Sequence, residues 1–148
     1  MKIFIGSDHA GFELKGKLIS FLIKEGYEVL DKGAFEYKKE DDYPDFVSEV
    51  AREISQNPHD TFGFVLGGSG QGEAIVANRF PHIRATVYYG GALNTISLAR
   101  EHNNANILSL GARFIKDEEA INAVRVFLNT PFSRDERHVR RIRKIDDI

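Results

Sequence analysis

The chain predicts an open α/β fold: a parallel sheet of five strands, doubly wound, with helices on both faces. Two observations carry this. Short apolar runs alternate with stretches of helical periodicity from one end of the sequence to the other. One of those runs, Phe62-Gly63-Phe64-Val65-Leu66-Gly67-Gly68, breaks into glycines and resumes at once as Ala74-Ile75-Val76-Ala77-Asn78, the pattern of strand, tight loop and helix. Parallel neighbours need crossovers, and the crossovers return right-handed.

Taken in order, Lys2 to Ser7 reads as a buried strand. A helix from about Ala10 to Glu25 follows, with Leu14, Leu18, Phe21 and Leu22 on one face, and Gly26 ends it. Tyr27 to Leu30 forms the second strand. Residues 32–42 are polar and read as a loop. Pro44 then opens a helix carrying Phe46, Val47, Val50, Ala51 and Ile54 at helical spacing. Thr61 to Leu66 is the third strand and Gly72 to Arg79 its helix. Arg84 to Tyr88 is the fourth strand, Gly91 to Glu101 its helix, and Asn106 to Leu110 the fifth strand. Asp117 to Asn129 is helical, with Ile121, Val124 and Leu128 facing inward. Pro131 interrupts, and a basic helix runs from about Ser133 to Ile145. These elements form a Rossmann-like sheet, and no repeat or linker divides the 148 residues into a second domain.

Composition narrows the function classes. Hydrophobic residues make up 42% and charged residues 28%, as in an ordinary soluble globular protein. No apolar stretch approaches the roughly 18 residues that a membrane span needs. The start of the chain reads as a strand rather than a signal peptide, so the expectation is a cytoplasmic protein. With zero cysteines there is no disulfide, thiolate metal site or cysteine base. A net charge of −2 argues against nucleic acid as a partner.

The glycine-rich junction is the most informative stretch. It puts backbone N–H groups at a helix start, where negative charge is stabilised. A P-loop would have Gly67 and Gly72 in place, but Glu73 stands where lysine contacts phosphate. The dinucleotide pattern, begun at Gly68, has Gly70 in place and then meets Glu73 instead of its last glycine. A carboxylate there repels phosphate and suits proton abstraction. The plainer alternative is that Glu73 complements the helix dipole.

Three other groupings stand out. Asp8 and His9 sit at the first strand-to-helix turn, where Ser7 or Asp8 could also simply cap the helix. Arg100-Glu101-His102-Asn103-Asn104 ends a helix; helix-end electrostatics explain it, and its expected place beside the binding edge adds a proton-transfer role. In the terminal helix Arg137 and Arg141 lie one turn apart, able to converge on one phosphate, while Asp135, Glu136, Asp146 and Asp147 dilute the field that a polynucleotide would need.

Together these residues resemble the type B ribose-5-phosphate isomerase family, which includes galactose-6-phosphate isomerase subunits. The likeness covers the whole chain. It rests on Ser7-Asp8-His9-Ala10-Gly11, Asp42-Tyr43-Pro44-Asp45-Phe46, Gly67 to Glu73 running into Ala77-Asn78-Arg79, Arg100 to Asn106, Leu110-Gly111-Ala112-Arg113, and Thr130-Pro131-Phe132 leading to Arg137-His138-Val139-Arg140-Arg141. Many members carry a cysteine base where this chain has Gly67. This chain looks like the branch in which a glutamate six residues on, Glu73, takes that role.

The resemblance implies an aldose–ketose isomerase acting on ribose 5-phosphate through an enediolate, with Glu73 as base. The Gly68, Ser69, Gly70, Gln71 and Gly72 loop would supply donors to the developing oxyanion. It further implies that His102 opens the sugar ring with Asn103 assisting, and that Asp8 holds the sugar. His9, Arg113, Arg137 and Arg141 would hold the phosphate, with His138 either close to it or sharing in ring opening. No metal or organic cofactor is implied, and sites lie between the subunits of a homodimer or dimer of dimers. The alternatives are a hexose 6-phosphate isomerase, one component of a two-subunit galactose-6-phosphate isomerase, and a non-catalytic phosphosugar- or nucleotide-binding module.

Overall fold

A computed structural model describes residues 1–148. Its strands are β1 (Lys2–Ser7), β2 (Glu28–Asp31), β3 (Thr61–Gly67), β4 (Ala85–Tyr88) and β5 (Ile107–Gly111). Its helices are α1 (Phe12–Lys24), α2 (Tyr43–Gln56), α3 (Gln71–Ala77), α4 (Asn94–Asn103), α5 (Asp117–Asn129) and α6 (Glu136–Asp146). The five strands form one parallel sheet in the order β2-β1-β3-β5-β4. The predicted α/β architecture is therefore the observed one.

The helix starts differ from the periodicity for local reasons. Asp8 Oδ1 accepts the N–H groups of Ala10 and Gly11, so that turn closes before α1 begins. Gly90 and Gly91 both have positive φ, at 111° and 93°, which holds off α4 until Asn94. Arg134 at φ 60° likewise delays α6 to Glu136.

Strand order dictates which face each helix covers. The chain steps one way from β1 to β2, then turns back across β1 to β3 and on to β4. Right-handed crossovers therefore put α1 on one face and α2 and α3 on the other. The return step from β4 to β5 brings α4 back beside α1. The apolar layers agree. Leu14, Leu18, Leu22, Ile96, Val124 and Phe127 pack on one face, and Val47, Val50, Ala51, Ile54 and Ala77 on the other. The reversal of direction falls between β1 and β3, so their C-terminal ends flank the crevice where such sheets bind ligands.

Phe127 is fully buried, with its ring edge-on to Phe62 and Phe64 and the Arg100 guanidinium 5.5 Å away. Phe127→Ala is expected to cost about 3–5 kcal/mol of stability, the range for losing a buried ring, read from urea unfolding.

Candidate active site

Three strand ends are brought into line by the sheet register. Ser7 pairs with Leu66 and Gly67 with Gly111. The N–H of Asp8 donates to Leu66 O, that of Ala112 to Gly67 O and that of Arg113 to Gly68 O. Asp8, the glycine loop and Arg113 therefore stand side by side at the C-terminal edge.

Glu73 lies in the first turn of α3 and its side chain turns back onto the end of β3, leaving the residue only 3% exposed. A Cβ on Gly67 would overlap the Glu73 carboxylate directly. The missing side chain at residue 67 is what makes room for the acid. Burial raises the carboxyl pKa above the ordinary value of 4.5, its own backbone N–H pulls it down in part, and the nearby Asp8 charge raises it further. The result is a buried carboxylate that is a stronger base than a solvated one.

The loop around it is held from beneath and left open at its donors. Gly70 adopts φ 77°, and its carbonyl accepts the buried Ser109 hydroxyl at 2.6 Å. The Tyr43 ring packs so close to Gly72 that a side chain there would strike it. Ser69 Oγ accepts the Gln71 N–H at 3.3 Å, while the N–H groups of Gly68, Ser69 and Gly70 donate to no protein acceptor. Ser109 was missed by sequence reasoning, and Tyr43 stood only within the Asp42–Phe46 motif without a role of its own. The signal for Ser109 was a hydroxyl inside an otherwise apolar strand.

Asp8 is buried, and its Oδ1 does make the capping contacts with Ala10 and Gly11. Its Oδ2 lies 4.0 Å from His9 Nδ1. That nitrogen is 2.7 Å from Asp41 Oδ1, another residue the sequence did not single out. Asp8, His9 and Asp41 bring three possible metal-ligand atoms within 4.8 Å of one another, but the imidazole nitrogen of the set is already bonded to Asp41.

The remaining expected residues are not here. The expectation that His102 and Asn103 flank the binding edge is corrected by topology. α4 descends from the C-terminal end of β4, so its last residues reach the N-terminal edge, where β5 begins. Asn104 there shares a cavity of about 450 Å³ with Met1, Asp60 and Thr61. Glu73 is a full strand length away, roughly 20 Å at about 3.3 Å per residue. That cavity holds neither Glu73 nor the glycine loop, which stand at the opposite edge.

The far group is nonetheless organised. His102 and His138 stack with ring centroids 4.4 Å apart and planes at 10°. Ser133 N–H donates to Glu101 O, and Arg84 pairs with Asp146 at 3.1 Å, fixing both ends of α6. Burial lowers the His138 pKa, and His102 and Arg137 push it the same way. Arg137 and Arg141 are exposed; the nearest acid to Arg137, Asp135, is 3.9 Å away. One copy of the chain thus presents the expected residues as two groups on opposite edges of its sheet.

Two outcomes follow from the buried acid. Gly67→Ala should push the Glu73 carboxylate towards water while circular dichroism stays unchanged, and carbon-13 NMR should find its pKa moved back towards the ordinary 4.5. Glu73→Gln should raise the urea midpoint at pH 7, because the native state then no longer buries a charge. A raised carboxyl pKa stabilises the fold only as pH falls through it. The gap between variant and wild type should therefore close by pH 4.5, the ordinary glutamate value.

The family model described as Ribose/Galactose Isomerase matches residues 3–145. Ribose-5-phosphate isomerase B of Mycolicibacterium paratuberculosis is 45% identical over 142 residues, covering 96% of this chain and 87% of that protein. Its namesake from Escherichia coli is 35% identical over 147 residues, covering 99% and 95%. The crystal structure of ribose-5-phosphate isomerase B from Mycoplasma genitalium with bound ribulose-5-phosphate superposes with a TM-score of 0.94 at 38% identity, covering 99% of this chain and 94% of that one. The Thermotoga maritima structure superposes at 0.91 with 47% identity, covering 99% and 98%.

Proposed function

The chain belongs to the ribose/galactose isomerase family, and on that premise we propose that Glu73 is the base with which it interconverts ribose 5-phosphate and ribulose 5-phosphate. The observation that carries the assignment is the buried Glu73 carboxylate lying against Gly67 with its pKa raised. Glu73 takes the proton from C2 of the open aldose. The C–H electrons form the C1=C2 bond and the C1 oxygen becomes an oxyanion. The free N–H groups of Gly68, Ser69 and Gly70, with the Ser69 hydroxyl, stabilise that charge; one such donor is worth about 3 kcal/mol. The proton returns at C1 while the hydroxyl proton passes from O2 to O1, so the atoms balance without a redox partner. Gln71 and Gly72 shape the loop that presents these donors.

Two copies complete the site. His102, Asn103, Arg137, His138 and Arg141 of one copy meet Asp8, His9, Glu73 and Arg113 of the other, because the two groups are too far apart to meet within one chain. The exposed aromatic rings near the C-terminal edge support a covered surface: Phe35, Tyr37, Tyr89 and Phe114 are 54–74% exposed, and Tyr89 and Phe114 meet edge to face. His102 moves the ring-opening proton with Asn103 beside it, and Asp8 holds the sugar. His9, Arg113, Arg137 and Arg141 take the phosphate, and His138 backs His102 by stacking. All 148 residues act as one domain, since both apolar layers pack on a single sheet. The reading places the enzyme in the cytoplasm, where charged sugar phosphates are retained.

Glu73→Gln should lower kcat roughly a thousandfold and abolish solvent exchange of the C2 proton. His102→Asn should slow cyclic ribose 5-phosphate far more than ribulose 5-phosphate, which does not close into that ring. Dissociated and remixed, these two variants should recover about a quarter of wild-type activity on ribose 5-phosphate, since half the random dimers carry one intact site of two. Near-normal turnover by Glu73→Gln would return that residue to a capping role. Remixing that restores nothing would overturn the shared site.

A further inference from the structure

The segment between β2 and α2 reads in sequence only as a polar loop. In the fold it reaches over the first strand end and makes a specific contact with His9. Lys15 Nζ donates to Asp31 Oδ1 and to Ala34 O, each at 2.7 Å, and so anchors the base of the loop. Further along, the Tyr37 ring lies edge-on to the His9 imidazole with centroids 6.4 Å apart. Asp41 Oδ1 then accepts two hydrogens from His9, the backbone N–H at 2.9 Å and the ring at Nδ1, 2.7 Å away.

Asp41 has no other visible purpose. It stands two residues before α2, whose N-cap is Asp42, and no side chain caps that helix. Its side chain is 8% exposed, and Oδ2 is buried with no partner at all. A buried carboxylate whose only side-chain bonds run to one histidine is a positioning group. Asp8 does not compete for the task, because its Oδ2 is 4.0 Å from the same nitrogen while its Oδ1 holds the N–H groups of Ala10 and Gly11. The His9 ring keeps 21% exposure, and its Nε2 makes no hydrogen bond within the protein.

We propose that Asp41 is a positioning residue for phosphate recognition. It holds the hydrogen on His9 Nδ1 and fixes the ring plane, so that the Nε2 lone pair faces the phosphate of the bound sugar, takes up the acidic hydrogen of the phosphate monoester and donates it back to a phosphate oxygen as an N–H···O bond. The hydrogen bond made by one ring nitrogen decides the state of the other. Without Asp41 the ring would rotate, and a neutral imidazole would shift its hydrogen to Nε2. The inference rests on the reading of His9 as a phosphate ligand and adds the group that aims it.

The test combines spectroscopy with kinetics on the full chain. In wild type, nitrogen-15 NMR of labelled histidine should find His9 Nδ1 protonated; in Asp41→Ala the hydrogen should move to Nε2. The same variant should raise KM for ribose 5-phosphate, and Ki for inorganic phosphate as a competitive inhibitor, by about tenfold, with kcat little changed. Asp41→Asn keeps an acceptor oxygen and should retain the Nδ1 hydrogen and most of the affinity. It also serves if the alanine variant fails to fold. An unchanged His9 tautomer in Asp41→Ala would overturn the inference, and so would a changed tautomer with unchanged KM and Ki. His9→Gln separates the two readings: if it leaves KM and the phosphate Ki untouched, His9 is not a phosphate ligand, whatever Asp41 does to its tautomer.

Discussion

The site depends on the vacancy at Gly67. Because residue 67 carries no side chain, a carboxylate from the first turn of α3 can lie flat on the end of β3. Everything around it serves that arrangement. The register of β1 against β3 brings Asp8 alongside, and the continuation of β5 brings Arg113 to Gly68. Ser109 holds Gly70 from below, and Tyr43 closes the side at Gly72. Burial costs the fold some stability at neutral pH and makes the acid a stronger base than a solvated carboxylate.

Topology sets the second constraint. In a parallel sheet the crossover helices run opposite to the strands, so whatever ends a helix lies at the edge away from the glycine loop. His102 ends α4 and is therefore separated from Glu73 by the whole length of β3. α6 packs beside α4 and adds Arg137, His138 and Arg141 to that distant group. No side-chain motion spans such a gap, which is why the proposed site draws on two copies of the chain.

Much of this was legible in the residues. The β1 and α5 boundaries were read to the residue, and Glu73 stood out because it broke two phosphate motifs at one position. The misplacement of His102 came from treating nearness to β5 in sequence as nearness to its functional end, although Asn106 enters that strand at its start. Asp41 was not legible. It meets His9 across 32 residues, through a loop whose path depends on Lys15 gripping Asp31 and Ala34, and periodicity carries no record of such a path. The late starts of α4 and α6 likewise depend on positive φ angles at Gly90, Gly91 and Arg134. Only the glycines announce such angles in sequence.

The pairing of Gly67 with Glu73 is best understood as one feature rather than two. A polar side chain on residue 67 would hang from the strand end itself, while the Glu73 carboxylate reaches back from the helix, and both aim at the volume beside Asp8. A Cβ on residue 67 already overlaps the Glu73 carboxylate, so the fold admits only one of them. The strand-borne group would need no glycine. The helix-borne one requires it and also requires the left-handed turn at Gly70 that starts α3 at the right phase. A side chain placed on residue 67 therefore drives the Glu73 carboxylate out, and loss of the Glu73 side chain leaves the space over Gly67 unfilled.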